Sequence, residues 1–81
     1  MANETYPCPC CGYRTLEGRG EYEICPVCFW EDDPLQSADP HLAGGANEPD
    51  LLSARENYRC FGACEERFRD HVRDPYPEEM T

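Results

Sequence analysis

Lysine is absent from this chain, and other basic residues are few. All seven are arginine, against 17 aspartate and glutamate residues, so the formal net charge is −10. Nucleic-acid binding usually relies on clustered positive charge, because the counterions released from the phosphates supply much of the affinity. The arginines form no dense patch in the sequence, so we expect no nucleic-acid partner. Such acidity is typical of a well-solvated protein, or of one that meets basic proteins.

Long apolar stretches and a secretion signal are also absent. No segment approaches the roughly 20 apolar residues of a membrane-spanning helix, so we expect no membrane partner. The opening residues MANET have neither the basic start nor the apolar run of a signal peptide. Because free thiols persist in a reducing compartment, the sequence favours a cytoplasmic location.

The usual catalytic patterns are missing too. His41 and His71 are the only histidines, and neither lies in a nucleophile or metal motif. No glycine-rich phosphate loop adjoins a strand–helix unit. We therefore expect that the protein is not an enzyme.

Cysteine is abundant by contrast, and four of the seven cysteines form two pairs. Cys8 and Cys11 make one C-x-x-C pair, Cys25 and Cys28 make the other, and 13 residues separate the pairs. Each pair brings two sulfurs to one side of a tight turn, and two such pairs typically ligate one zinc ion tetrahedrally. The pattern predicts one structural Zn²⁺ per chain, held by these four thiolates.

Two other interpretations of the cysteines remain open. Seven cysteines in 81 residues would suit a secreted domain held by disulfides. The odd number of cysteines and the missing signal peptide argue against this interpretation. Cys25-Pro26-Val27-Cys28 also resembles a redox dithiol. A thioredoxin-like site needs a βαβ scaffold, and this chain is too short and too rich in proline to build one.

The predicted fold class is a small metal-stabilised α+β domain, with an N-terminal zinc-ribbon-like β-hairpin and a C-terminal helical segment. We expect one domain over residues 1–81, because a chain of this length buries only a small core. Its expected parts are a zinc-ribbon part at 6–33, a loop at 34–46, a helical part at 47–73 and a loose tail at 74–81.

The zinc-ribbon part is expected to contain one hairpin that joins the two cysteine pairs. Its strands are predicted at 13–16 and 21–25, with a turn at 17–20. The two-residue period places Tyr22 and Ile24 together on a half-buried face.

Two aromatic residues and three acids follow the last cysteine of this part. Phe29 and Trp30 are expected to form the apolar plug against which the ribbon packs, or alternatively a partner-binding patch. Residues 31–33 are expected to be a solvated acidic loop, because no spaced calcium-type ligand loop accompanies them.

The helical part has one apolar stripe at helical spacing. Its members are Leu51, Ala54, Tyr58, Phe61, Phe68 and Val72. Asn47 or Asp50 is expected to cap the helix, with Pro49 in its first turn. Gly62 lies off the stripe, and we favour a break or kink there.

Three cysteines lie outside the two pairs. Cys10, between two predicted ligands, is expected to project away from the zinc. Cys60 and Cys64 are four residues apart, and on an unbroken helix they would share an edge with His71. Cys60, Cys64 and His71 are therefore a hypothetical second metal site. The alternative is that all three occupy ordinary positions on the helix surface.

Taken together, several segments resemble the bacterial cysteine-rich CPCC family over residues 6–75. They are YPCPCCGY at 6–13, YEICPVC at 22–28, WEDD at 30–33, GGAN at 44–47 and ARENYRCFGA at 54–63. The resemblance implies a small zinc-binding protein with ligands at Cys8, Cys11, Cys25 and Cys28, and it implies no substrate. It does not require cysteine at 60 and 64.

The resemblance also draws attention to Arg55 and Asn57. Arginine suits bidentate pairing with carboxylates, so Arg55 is expected to dock the helix on the ribbon through the acids at 31–33. A binding surface at Arg55 and Asn57 is the alternative.

The function that the sequence favours is a protein-interaction module whose zinc site is structural. Four thiolates close the coordination sphere and leave no open position for catalysis. The alternative is a thiol-based redox or metal-responsive switch that uses Cys10, Cys60 and Cys64.

Overall fold

The protein is described by a computed structural model that covers residues 4–80. Its elements are two strands, two α-helices and two short 3-10 helices: β1 (Tyr6–Pro7), β2 (Arg14–Leu16), α1 (Pro34–Ala38), α2 (Leu51–Phe61), and the 3-10 helices Glu66–His71 and Pro77–Glu79. One small antiparallel sheet with short helices agrees with the expected α+β class. Residues 1–3 and 81, at the ends of the predicted domain, lie outside the described residues.

The hairpin is formed differently from the sequence prediction. Strand β2 agrees with the strand expected at 13–16, but its antiparallel partner is β1, with Tyr6 opposite Leu16. The sheet therefore encloses the first cysteine pair instead of joining the two pairs. Connection length does not decide this pairing, since six residues join β1 to β2 and only four would join β2 to a strand at 21–25. Gly20, with a φ of 67°, instead turns the chain out of the extended conformation before residue 21.

Residues 21–25 pair with the chain that follows the second cysteine pair. Ile24 forms an isolated antiparallel bridge with Glu31, and the Tyr22 N–H donates to the Asp32 carbonyl at 3.1 Å. Tyr22 has a φ of 61°, which an extended strand does not adopt. The strand expected at 21–25, with Tyr22 and Ile24 on its buried face, is wrong, since these side chains are 50% and 47% exposed.

The core lies between the cysteine pairs and α2. Trp30 is fully buried, as expected of an apolar plug, and Phe29 packs at the edge of the same cluster. The buried apolar members of that cluster, cysteines apart, are Leu16, Val27, Trp30, Leu51 and Ala54. Helix α2 thus contributes directly to the core that surrounds the cysteines.

The segment expected to be a loop at 34–46 begins with helix α1. Asp33 is its N-cap and accepts a hydrogen bond from the Leu35 N–H at 2.8 Å, and Pro34 opens the first turn. The same carboxylate accepts the Ala46 N–H at 3.0 Å. The acids are therefore not a solvated loop, because Asp32 and Asp33 are only 3% and 4% exposed.

Replacing Asp33 with alanine should lower the free energy of unfolding by about 1–3 kcal/mol, because two backbone donors lose their acceptor. Urea denaturation of the metal-loaded protein measures this loss. Asp33→Asn is the matched control, since it keeps one acceptor oxygen and should lose less.

The pH dependence of this effect follows from the same contacts. The hydrogen bond from the Ala46 N–H, followed by that from Leu35, holds the pKa of Asp33 below its ordinary value. A group with a lowered folded-state pKa stabilises the fold above its unfolded-state pKa of about 3.9, and the contribution is lost as pH falls through the lower folded-state value. The difference between Asp33→Ala and the native protein should therefore be equal at about pH 7 and about pH 5. A difference that shrinks over that interval would contradict the assignment.

Helix α2 begins and ends with local caps. The Asp50 carboxylate accepts the Ser53 N–H at 2.7 Å, so the predicted cap at Asp50 is confirmed, and Pro49 lies before the helix instead of in its first turn. Gly62 ends the helix with a φ of 84°. A side chain there would strain this left-handed conformation, and the break expected at Gly62 is confirmed.

After Gly62 the chain crosses the second cysteine pair. The Cys64 N–H donates to the Cys28 carbonyl at 2.8 Å, and the Arg73 N–H donates to the Pro26 carbonyl at 3.2 Å. Arg73 also pairs with Glu79 at 2.8 Å. The tail expected to be loose is thus attached as far as Glu79.

Candidate metal centre

The first cysteine pair lies in a tight turn between β1 and β2. The Gly12 N–H donates to the Cys8 carbonyl at 2.8 Å, and the Cys8 N–H donates to the Tyr13 carbonyl at 2.8 Å. Gly12 has a φ of 82°, which glycine adopts without strain. This turn, residues 8–13, is called the first knuckle below.

The second cysteine pair repeats the same backbone geometry. The Phe29 N–H donates to the Cys25 carbonyl at 2.8 Å, and the Cys25 N–H donates to the Trp30 carbonyl at 2.9 Å. Phe29 takes the position of Gly12 and has a φ of 72°. For a bulky residue this conformation is strained, and the Phe29 ring packs on Phe68 with centroids 4.5 Å apart. Residues 25–30 are called the second knuckle.

The two knuckles face each other and bring four sulfurs together. The Sγ atoms of Cys8, Cys11, Cys25 and Cys28 all lie within 4.8 Å of one another. Two cross-knuckle distances are shorter, 3.5 Å from Cys8 to Cys28 and 3.7 Å from Cys11 to Cys25. Sulfurs 2.3 Å from a tetrahedral zinc would be about 3.8 Å apart. The predicted ligands are therefore placed together, at a spacing that suits a metal ion.

The same distances bear on the disulfide interpretation. A disulfide holds its sulfurs about 2.05 Å apart, which is well below the distances of 3.5 and 3.7 Å found here. All seven cysteines lie within residues 4–80 and are free thiols, so the disulfide interpretation does not agree with the structure. Three of the four clustered cysteines are buried, and Cys11 is partly exposed. Protein atoms thus surround most of the cluster, as in a closed structural site.

Hydrogen bonds around the cluster favour negative charge on Cys25. Its Sγ lies 2.9 Å from the Thr15 hydroxyl and accepts the Val27 N–H at 3.4 Å. Hydrogen bonding, first with Cys11 and with smaller contributions that include Thr15, lowers the pKa of Cys25 below its ordinary value. Sequence reasoning missed Thr15, which only the pairing of β2 with β1 brings to the cluster.

The other three thiols hold their protons more tightly. Hydrogen bonds with neighbouring thiols, the largest from Cys11 and Cys25 respectively, raise the pKa values of Cys8 and Cys11. The pKa of Cys28 is raised first by its hydrogen bond with Cys10. Four thiolates this close repel one another, and a divalent cation is the natural way to offset that repulsion.

Replacing Thr15 with valine should weaken metal binding by about 10- to 100-fold, because the Cys25 thiolate loses a hydroxyl donor next to the metal. Competition against a chromophoric zinc chelator measures the change in affinity. Thr15→Ser keeps the hydroxyl and is the matched control. Equal affinity in the valine and serine variants would rule out this role for Thr15.

The three remaining cysteines occupy different environments. Cys10 lies outside the group of four, as expected, yet it is only 7% exposed and belongs to the same core cluster. Cys64 is buried, which raises its pKa to about 12. Cys60 is exposed on α2, where its thiol lies 3.5 Å from the Glu56 carboxylate.

The hypothetical second metal site is not assembled. Because α2 ends at Gly62, Cys60 and Cys64 do not share a helix edge, and the His71 ring stacks against Phe29 at 5.5 Å. Within residues 4–80, the four-cysteine cluster is the only group of three or more metal-ligating side chains that lie close enough together.

Arg55 docks α2 on the cysteine region, but not through the acids at 31–33. Its Nε donates to the Pro9 carbonyl at 2.9 Å, in the first knuckle. Asn57 donates to the Cys64 carbonyl at 2.9 Å and so fixes the turn after α2. Both contacts are structural, and the Arg55 pairing expected with the acids is wrong.

A family described as cysteine-rich CPCC matches residues 6–79. The chain belongs to the cysteine-rich CPCC family. The letters CPCC stand at residues 8–11, within the first knuckle. No curated protein matches the chain.

Family membership and geometry agree on the cysteine cluster. The match of the cysteine-rich CPCC family covers both knuckles and α2, and the four clustered thiols are compatible with a structural metal ion. Along residues 4–80, no helix has the length and apolarity that crossing a bilayer demands.

Proposed function

We propose that this protein is a cytoplasmic protein-interaction module whose fold is held by one structural Zn²⁺ on Cys8, Cys11, Cys25 and Cys28. The observation that carries the proposal is the closed group of four sulfurs within 4.8 Å. A site with four protein ligands has no open position for a substrate or an activated water. The metal site therefore stabilises the fold, and residues on the protein surface carry the binding function.

Zinc is the metal that best suits this set of ligands. Thiolates select soft or borderline metals, and a tetrahedral group of four sulfurs fits zinc or iron. Zinc has no redox chemistry and no geometric preference of its own, so it suits a site whose role is structural. A zinc-ribbon-like arrangement of two facing knuckles is the fold that this assignment supports.

Another protein is the partner that the surface favours over nucleic acid. Within residues 4–80, several arginines already pair with carboxylates, among them Arg59, Arg67, Arg69 and Arg73. With a net charge of −10, the surface offers little attraction for phosphates. Large apolar side chains stand exposed at several points, among them Tyr22, Ile24, Leu35 and Leu52, and apolar anchors are what protein interfaces use.

Metal analysis combined with a partner assay tests the proposal. Elemental analysis of the tag-free protein should give one zinc per chain. A thiol-reactive dye should label exposed Cys60 quickly and buried Cys10 and Cys64 slowly. Zinc-loaded protein on a sensor surface should retain a defined partner protein that metal-free Cys25→Ser does not. Absence of bound zinc, or partner binding that survives loss of the fold, would overturn the proposal.

A thiol-based switch is the second candidate, and the burial of Cys10 and Cys28 in one core cluster favours it. A peroxide can oxidise the Cys28 thiolate to a sulfenic acid, with hydroxide as the leaving group. The Cys10 thiol can then attack that sulfur, which forms a disulfide and releases water. The site would lose one ligand and with it the metal. Peroxide-driven zinc release that Cys10→Ser slows, while Cys60→Ser does not, would favour this candidate.

A further inference from the structure

A groove with proline walls runs beside the first knuckle. Its volume is about 540 Å³, within the range of ordinary ligand pockets. Pro7, Pro9, Pro34 and Ala38 form apolar walls, and Arg19 and Asp32 are the charged residues among its lining. Proline fixes its own backbone torsion, and Pro9 lies between two metal ligands. The groove is therefore largely preformed.

The carboxylate of the groove already has partners. The Gly20 N–H donates to Asp32 Oδ2 at 2.7 Å, and the residue is only 3% exposed. The Ser37 hydroxyl lies 3.5 Å from the other oxygen. Asp32 thus positions the walls, because it ties the loop before the second knuckle to α1, and it offers little charge to a ligand.

The guanidinium charge of Arg19, by contrast, is available to a ligand. Its guanidinium lies over the Tyr6 ring, 4.8 Å from the centroid. Among residues 4–80, no carboxylate forms an ion pair with it, whereas four other arginines are paired. On a chain with 17 acidic residues, an arginine held on an aromatic ring beside an apolar groove can serve an acidic ligand.

We propose that this groove binds an extended acidic segment of a partner protein. One apolar side chain of the segment lies between the prolines, and an adjacent carboxylate pairs with Arg19. The inference rests on the proposed interaction function and adds the class of partner to it. It also departs from both interpretations of the acidity given above, a well-solvated protein and one that meets basic proteins.

Charge and shape select this occupant over two others. A second copy of the chain brings its own charge of −10, and like charges oppose association. A phosphate dianion would keep one negative charge unpaired beside a single arginine, whereas a carboxylate matches one guanidinium in charge and in hydrogen-bond geometry. Salt screens charges beyond about 8 Å at physiological ionic strength, so the more distant acids of the chain oppose a short acidic segment only weakly.

Titration of the ¹⁵N-labelled, zinc-loaded protein with a short peptide tests the inference. The probe is acetyl-Gly-Ser-Leu-Asp-Ser-Gly-amide, compared with peptides in which Asn or Lys replaces the Asp. The Asp peptide at millimolar concentration should shift the amide signals of Arg19, Gly20, Ser37 and Ala38. It should bind about two- to fivefold more tightly than the Asn peptide, within the range of one exposed ion pair.

Two variants separate the role of Arg19 from general charge effects. Arg19→Gln should abolish the preference for Asp over Asn and leave the spectrum otherwise native. Arg69→Gln, whose guanidinium pairs with Glu66, lies outside the groove lining and should keep that preference. Tightest binding by the Lys peptide, shifts that grow with protein concentration alone, or no shift of the groove signals would each overturn the inference.

Failure of this inference can be told apart from failure of the proposed function. If Arg19→Gln retains the zinc-dependent partner with undiminished affinity, the groove assignment is wrong and the interaction module stands. If the native protein has no zinc-dependent partner, the proposed function itself fails, whatever the peptides do.

Discussion

Removing the metal from the four-cysteine cluster is expected to unfold the chain as a whole, with α2 melting together with the knuckles. A domain of this length has a total stability of about 4–12 kcal/mol. Structural zinc contributes about 10–16 kcal/mol in small zinc-finger peptides. The metal contribution therefore matches or exceeds the whole margin by which the fold is stable.

The structure extends this effect beyond the knuckles. From sequence, metal loss would be expected to unfold only about the first 30 residues. Leu51 and Ala54 of α2, however, pack in the same core cluster as the cysteines, and Cys64 is tied by its N–H to the Cys28 carbonyl at 2.8 Å. With one shared core, the helix has little to pack against once the knuckles open, and an 11-residue helix is marginal alone.

Far-ultraviolet circular dichroism measures this loss. A zinc chelator should remove most of the helical signal, and added zinc should restore it. Cys25→Ser should behave like the chelated protein, whereas Cys60→Ser, which removes an exposed cysteine of α2, should resemble the native protein. Full helical signal in a sample shown to contain no metal would refute the prediction.

The features that sequence predicted correctly are those fixed by neighbours along the chain. In each C-x-x-C pair, the two residues between the cysteines form a tight turn that places both sulfurs on one side. The caps at Asp50 and Gly62 likewise depend on residues within one helical turn. Local geometry of this kind needs no knowledge of the rest of the fold.

The features that sequence predicted wrongly depend on contacts between distant residues. Residues 21–25 have an alternating pattern suited to a strand after β2, but β2 pairs with β1 across the first knuckle, and the φ of 61° at Tyr22 interrupts an extended strand. Three consecutive acidic residues, such as those at 31–33, are typically exposed to solvent. Asp33 is buried because its carboxylate accepts N–H groups from Leu35 and Ala46, and the second of these is 13 residues away.

Gln36 is the clearest case of a residue that sequence reasoning overlooked. It is fully buried, although glutamine is mostly exposed in proteins. Its Oε1 accepts the backbone N–H of Asn47 at 3.0 Å and the Asn47 side-chain amide at 2.9 Å. Its Nε2 lies 2.9–3.1 Å from three carbonyls, those of Leu42, Asn47 and Pro49. One side chain thus contacts one N–H and three carbonyls of the backbone that leads from α1 to α2.

Asn47 extends the same hydrogen-bond network to Glu31, the residue that follows the second knuckle. Its Nδ2 donates to the Glu31 carbonyl at 2.8 Å, and its Oδ1 accepts the Glu31 N–H at 2.9 Å. The pair of Gln36 and Asn47 therefore joins α1, the connection before α2 and the chain that follows Trp30. A buried network of this kind stabilises only when all of its members are satisfied.

Replacing Gln36 with methionine should consequently lower the free energy of unfolding by about 3–5 kcal/mol. Methionine nearly keeps the volume and flexibility of glutamine, so the loss reports the hydrogen bonds and not a cavity. The variant leaves the Asn47 N–H and carbonyl buried without partners, each at a cost of about 1–3 kcal/mol. The carbonyls of Leu42 and Pro49 are only partly buried, so water can replace part of their loss.

Urea denaturation of the zinc-loaded protein measures the effect, with Ser37→Ala as the matched control. Ser37 is the next residue of α1, and its hydroxyl has one long contact of 3.5 Å to Asp32, so the control should lose under about 1 kcal/mol. The helix and its charge are alike in both variants, and only the buried network differs between them. If the two variants were equally stable, the connection between the helices would be held by packing alone, and the predicted role of Gln36 would be wrong.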